Sequence, residues 1–201
     1  MLDYTQIENI QKKLQKHMGS KRYRHTIGVQ YTCVSLAMRY GLDLNQSALA
    51  GLLHDCAKYL DDKEMLRECE KHGISCNPTE KSQAYLLHAK LGAFYAKTKY
   101  GIEDKEILSA IRYHTTGRAQ MTLLEKIVFT ADYIEPHRKM LPVLPAIRQM
   151  AFEDMDEAVY MILKSTIEYL EQDKGEKKKK KEIESHTLEA YEYYKKLHDN
   201  K

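Results

Sequence analysis

The sequence predicts an all-α fold, a single helical bundle of about ten helices with a metal site in its core. Three observations carry this reading. Clear period-2 alternation is absent, and no Asn-Gly or Asp-Gly hairpin occurs. Capping residues and glycines recur at helix-length intervals. Between them, apolar residues return every three or four positions. The 201 residues suffice for one sizeable core. Residues 1–173 read as that core domain, and 174–201 as a lysine-rich linker with a C-terminal helix.

Taken in order, Thr5 and Glu8 form a candidate capping box for a first helix closed by Gly19. Ser20 can cap a second helix that ends at Gly41. Its apolar stripe is Val29, Cys33, Leu36 and Tyr40, and His25 lies one turn before Val29 on that stripe. A third helix, from about Asn45 to Lys58, carries His54 and Asp55 in its last turn. Asp61 can cap a polar fourth helix closed by Gly73, and Asn77-Pro78 opens a further segment. Tyr85 to Tyr100 follows, with His88 in line with Ala84, Leu91 and Tyr95, and then Asp104 to His114. Thr115-Thr116-Gly117 reads as a polar loop. Thr122 and Glu125 form a second capping box, for a helix that reaches Asp132. Pro136, Pro142 and Pro145 predict a short connector before a long amphipathic helix, Asp154 to Glu171. Gly175 and the run Lys177–Lys181 read as a solvated linker or frayed end, and Ser185 to Leu197 as a Tyr-rich terminal helix whose packing on the core stays open.

Composition excludes several classes. No apolar run approaches the roughly 20 residues of a membrane span. Met1 to Met18 is amphipathic and has no signal-peptide core, so a cytoplasmic location is expected. The four cysteines show no CxxC pairing and read as reduced thiols. Of 32 basic residues, five are the lysine run; the remaining 27 against 29 acidic residues give −2, so no nucleic-acid-binding face is indicated.

The chemistry is concentrated in His25, His54-Asp55, His88, His114 and Asp132. Each is a metal-ligand type on or beside the apolar stripe of a helix. One such histidine is more often a core residue bonded to a backbone carbonyl. Four histidines and two aspartates across five helices would all need partners in one core. Imidazole nitrogens and carboxylate oxygens together suit zinc, iron or manganese. Lys58 lies three residues beyond Asp55, and Arg22 one turn before His25, so both are placed to meet negative charge. Their alternative is a solvated helix charge. The remaining histidines, His17, His72, His137, His186 and His198, read as surface residues.

The segments Arg22-Tyr23-Arg24-His25-Thr26-Ile27-Gly28-Val29, Leu52-Leu53-His54-Asp55-Cys56-Ala57-Lys58, His114-Thr115-Thr116-Gly117 and Ala131-Asp132-Tyr133-Ile134-Glu135-Pro136-His137-Arg138 resemble the HD-domain phosphohydrolases. Within them they are similar to the YqeK-like branch, the symmetrical diadenosine tetraphosphate hydrolases. The resemblance spans about Lys21 to Leu170, and the lysine run departs from it. It implies that His25, His54, Asp55 and Asp132 hold one ion, iron first, with manganese, cobalt or zinc as alternatives. His88 and His114 would face the same cavity and bind a second ion, with Asp55 bridging, or contact phosphate. It further implies His88, His114 and Lys58 as catalytic groups. Arg22, Asp55, Lys58, His88, His114, Thr115, Asp132 and Arg138 would contact substrate. Thr116 and Gly117 would add a hydroxyl and backbone N–H groups toward an anion. A metal with open positions lowers the pKa of water and withdraws charge from phosphorus.

The expected activity is metal-dependent hydrolysis of diadenosine tetraphosphate to two ADP. The expected partner is a small-molecule nucleotide, with no nucleic acid and no membrane; a homodimer stays open. Competing readings are another nucleotidase or phosphodiesterase, a nucleotide-sensing module without turnover, and a helical adaptor in which the ligand-type residues coincide by chance.

Overall fold

In the computed structural model, which describes residues 2–172 and 182–201, eleven α-helices and no strand are formed among the described residues. α1 (Tyr4–His17) lies against α2 (Ser20–Tyr40) and α3 (Leu44–Leu53). α2 packs most extensively on α3, and also on α8 (Leu123–Ile134). α4 (Asp62–Lys71), α5 (Pro78–Ser82) and a 3₁₀ turn (Ala84–Leu86) lead into α6 (Leu87–Tyr100), which packs on α7 (Lys105–Tyr113). α9 (Leu144–Glu153), α10 (Met155–Gln172) and α11 (Ser185–Asp199) complete the bundle, with α10 against α8, α9 and α11.

Local chemistry sets these boundaries. Asp61 with Glu64, Asn77 with Glu80 and Thr122 with Glu125 each form reciprocal capping boxes. Gly41 and Gly101 end α2 and α6 in the left-handed region, as a helix-closing residue requires. The apolar face of α8, Leu124, Ile127, Val128 and Ala131, is fully buried. Full burial of a Leu or Ile contributes about 1.5–3 kcal/mol. At Gly51, α3 reaches α2 so closely that a Cβ would sit 2.8 Å from the Cys33 sulfur and 3.1 Å from the Gln30 Cα. That approach brings the end of α3 to the first turns of α2, and so His54 to His25.

Several boundaries differ from expectation. Asp3, not Thr5, caps α1, because its side chain reaches the Gln6 N–H. Gly19 is the α2 N-cap, and Ser20 is already helical. α3 stops at Leu53, five residues short of Lys58. There the Gly51 carbonyl accepts from His54 Nδ1, and Cys56, Lys58 and Leu60 make tight bonds three residues back. The expected connector holds a helix, α9, with Pro145 in its first turn, where a missing N–H is harmless. The lysine run lies outside the described residues.

α11 packs back on the bundle. Ala190 and Tyr194 are buried, and the Tyr194 hydroxyl accepts from the Met121 N–H at 3.2 Å. Cys33, Cys56, Cys69 and Cys76 are free thiols. No helix among the described residues is long and apolar enough to cross a membrane.

Candidate metal centre

Five helix ends converge on one point. His25 is in the second turn of α2, and Asp132 in the last turn of α8. His54 and Asp55 directly follow α3, His88 opens α6, and His114 directly follows α7. Helix ends leave backbone carbonyls unsatisfied, and these histidines use them. Nδ1 of His54, His88 and His114 donates to the carbonyl three residues back, on Gly51, Tyr85 and Ile111, at 2.7, 2.5 and 2.7 Å. A carbonyl only accepts, so Nδ1 carries the proton and Nε2 is a bare lone pair aimed inward. His25 follows the same rule with a different partner: its Nδ1 lies 3.0 Å from Glu135 Oε1.

Asp55 sits between the rings. Its Oδ1 is 3.3 Å from His88 Nε2 and 3.6 Å from His114 Nε2. Its Oδ2 is 3.4 Å from His54 Nε2, 3.9 Å from His25 Nε2 and 2.6 Å from Arg22 Nη1. Asp132 Oδ1 lies 3.0 Å from His25 Nε2, 3.8 Å from His54 Nε2 and 2.5 Å from Arg138 Nη2. The Nε2 atoms of His25 and His54 are buried and have no hydrogen-bond partner. Three ligand groups result: His25, His54 and Asp55; His54, His114 and Asp132; Asp55, His88 and His114. Bare nitrogens packed against carboxylate oxygens repel one another unless a cation joins them. The donor set therefore fits a divalent transition metal.

Charges in the site are strongly perturbed. Burial works to raise the Asp55 pKa, but His54 and His114 outweigh it and hold the carboxyl well below its usual range. Burial likewise opposes ionisation of Asp132, and His25 with Arg138 reverses that. Burial pushes His88 down to about 3, against the pull of Asp55. Burial lowers Lys58 too, and Arg22 adds to this while Asp55 opposes it. Lys58 Nζ lies 2.9 Å from His88 Nδ1 and 3.4 Å from the Tyr85 carbonyl, the acceptor that both share.

The expected ligands are thus brought to one place together with Arg22, Lys58, Thr115 and Arg138. Thr115 Oγ1 is 3.0 Å from His88 Nε2 and 3.1 Å from His114 Nε2. Its neighbours act otherwise than expected. The Gly117 N–H closes a turn on the Tyr113 carbonyl, and the Thr116 hydroxyl donates to the Gly117 carbonyl. The site opens to solvent on the side of Arg22, Asp132 and Arg138.

Glu135 was not among the expected site residues. Its carboxyl is buried, and Oε2 accepts from the His137 backbone N–H at 2.7 Å, with His137 Nδ1 at 3.1 Å. Burial works to raise its pKa, and hydrogen bonds from His25 and His137 hold it below the usual value. Arg148 of α9 donates to the Ile134 and Glu135 carbonyls at 2.9 and 3.0 Å, fixing the turn. The available signal was an acidic residue directly after an apolar helix and directly before a proline.

The sequence profile of the HD domain family matches residues 22–137. A protein of Halalkalibacterium halodurans named "Bis(5'-nucleosyl)-tetraphosphatase, symmetrical" is 42% identical over 87% of this chain and 89% of its own length. A Bacillus subtilis protein of the same name is 37% identical over 78% of this chain and 83% of its own. A crystal structure from Clostridium acetobutylicum, described as a "predicted HD superfamily hydrolase involved in NAD metabolism", superposes with a TM-score of 0.88 at 37% identity, over 94% of this chain and 97% of its own.

Proposed function

The chain belongs to the HD domain family, and on that premise we propose that it is a metal-dependent hydrolase cleaving diadenosine tetraphosphate symmetrically to two ADP. One observation carries the chemistry: Asp55 lies with one oxygen toward His88 and His114 and the other toward His25 and His54. The names and coverage of the relatives support the substrate.

His25, His54, Asp55 and Asp132 would hold one ion, iron first by the family resemblance, with manganese, cobalt or zinc as alternatives. Asp55, His88 and His114 form a second ligand group, which supports a second ion with Asp55 shared. When bound, the metal supplies charge withdrawal at phosphorus and a water acidic enough to attack near neutral pH.

The chain's own groups do the rest. Arg22 and Arg138 each hold a site carboxylate on the open side, where they can also meet the phosphates flanking the cut. Two cations on either side of the reacting phosphorus favour an inner anhydride over a terminal one. Lys58, beside His88, offsets charge on the phosphoryl oxygens. Thr115 can give its one hydroxyl proton to either His88 or His114, which leaves the other nitrogen free for ligand or substrate. The near-even charge outside the lysine run supports a small-molecule partner over nucleic acid. A cytoplasmic location is part of the same proposal.

Product analysis in oxygen-18 water tests the reading. ADP should be the only nucleotide product, with one labelled ADP for each substrate cut. ATP plus AMP would overturn the central cut. Failure with iron, manganese and cobalt, beside good turnover of a nucleoside monophosphate, would favour a nucleotidase.

A further inference from the structure

We propose that Glu135 is the positioning residue of the metal centre, and that Gly28 is the gap that lets it act. The inference rests on the metal reading above and concerns what fixes the His25 ring. Three of the four histidines take their orientation from a backbone carbonyl in their own turn. His25 has no such carbonyl partner; its Nδ1 meets Glu135 Oε1 at 3.0 Å. A carboxylate on the far nitrogen fixes the tautomer and makes the inward nitrogen a stronger donor.

Glu135 is itself held on every side. Oε2 accepts from the His137 N–H, and Arg148 pins the carbonyls of Ile134 and Glu135. Gly28, one turn beyond His25 in α2, completes the cradle. A Cβ there would lie 2.3 Å from Glu135 Oε2, 3.1 Å from its Cδ and 3.3 Å from His137 Nδ1. Glycine inside a helix is unfavourable, so its presence at this contact marks a space that must stay empty. The carboxylate has no slack to yield, because both oxygens are already bonded.

The chemistry also requires a carboxylate and not merely a polar group. Glu135 accepts on both sides, from His25 and from His137. An amide has one oxygen and one NH₂, so glutamine would face a donor with a donor on one side.

The test is Co²⁺ titration of the metal-free full chain, followed by visible absorption, with His25→Ala as the reference for loss of the site. E135Q and G28A should each raise the dissociation constant about 10- to 100-fold and shift the cobalt absorption bands. H137A should have a smaller effect, since the His137 backbone N–H remains. Circular dichroism checks folding; should E135Q fail to fold, G28A, which adds one methyl to a helix, carries the test alone. Wild-type affinity and spectrum in a folded E135Q or G28A would overturn the positioning role while the metal reading stands. A wild-type chain that binds no cobalt would overturn both.

Discussion

His88 Nε2 and His114 Nε2 face each other at 3.1 Å, and with Nδ1 of each ring bonded to a backbone carbonyl, two neutral imidazoles have no proton there to join them. Each has placed its one proton on a backbone carbonyl through Nδ1. The contact is tolerable only with a cation or a donor between or beside the two nitrogens. Thr115 can satisfy one of them, not both.

Metal removal should therefore destabilise the chain. A ligand present at 100 times its dissociation constant adds about 2.7 kcal/mol. For a chain of this size that corresponds to roughly 5–11 °C in Tm. Calorimetry before and after chelation, with restoration by added iron or manganese, measures it. An unchanged Tm would refute the expectation.

Replacing Asp55 by Ala removes the one group shared by both ligand sets. Bound metal should fall to background by elemental analysis. Activity should fall by more than the roughly 10²–10³ that loss of one charge-stabilising donor costs. Arg22 also loses its partner at 2.6 Å, so the variant should unfold at lower temperature. Full metal content in the variant would sink the assignment of Asp55.

Lys58→Ala should separate charge stabilisation from metal binding. The ammonium touches His88 and Tyr85, not the inward nitrogens. Metal content should stay near wild type while kcat falls about 10²–10³-fold. A parallel loss of metal would show that Lys58 acts by holding His88.

The metal-free chain should be most stable near pH 6.5. His88 is held at about 3 by burial, so between pH 6.5 and 3 the unfolded chain binds a proton that the native one refuses. Stability then falls as pH falls, by up to about 1.4 kcal/mol per pH unit from this group. His25 has the opposite sign. Burial works to lower its pKa, but Asp132 and Glu135 raise it, so its contribution is full below pH 6.5 and fades as pH rises through its native value. Asp55 and Asp132, both depressed, contribute above about pH 3.8 and are lost only as pH falls through their lower native values. Urea unfolding in chelator at pH 5, 6.5 and 8 should show a maximum at the middle value.

The helical architecture and the main ligand candidates could be read from the sequence because both are local signals. Caps such as Thr122 with Glu125, and apolar stripes ending in His54 or His114, need only a few neighbouring residues to be recognised. What escaped was decided at a distance. α3 ends early where the His54 ring takes the Gly51 carbonyl, a side-chain choice that propensity does not express. α9 was hidden by prolines that mark a helix start as readily as a break. Glu135 carried no site role in the sequence because its partner, His25, is 110 residues away.

The two ways of orienting a ring have different exposure to mutation. His54, His88 and His114 lean on backbone carbonyls, which every amino acid supplies, so no change of identity at Gly51, Tyr85 or Ile111 can delete the acceptor. His25 leans on a side chain, and one altered codon at position 135 or 28 removes or evicts it. Variation in this family should accordingly be freer at Tyr85 and Ile111 than at the glutamate–glycine pair, Gly51 being held separately by its contact with Cys33, with the risk of heritable loss of ring orientation gathered on a single corner of the site.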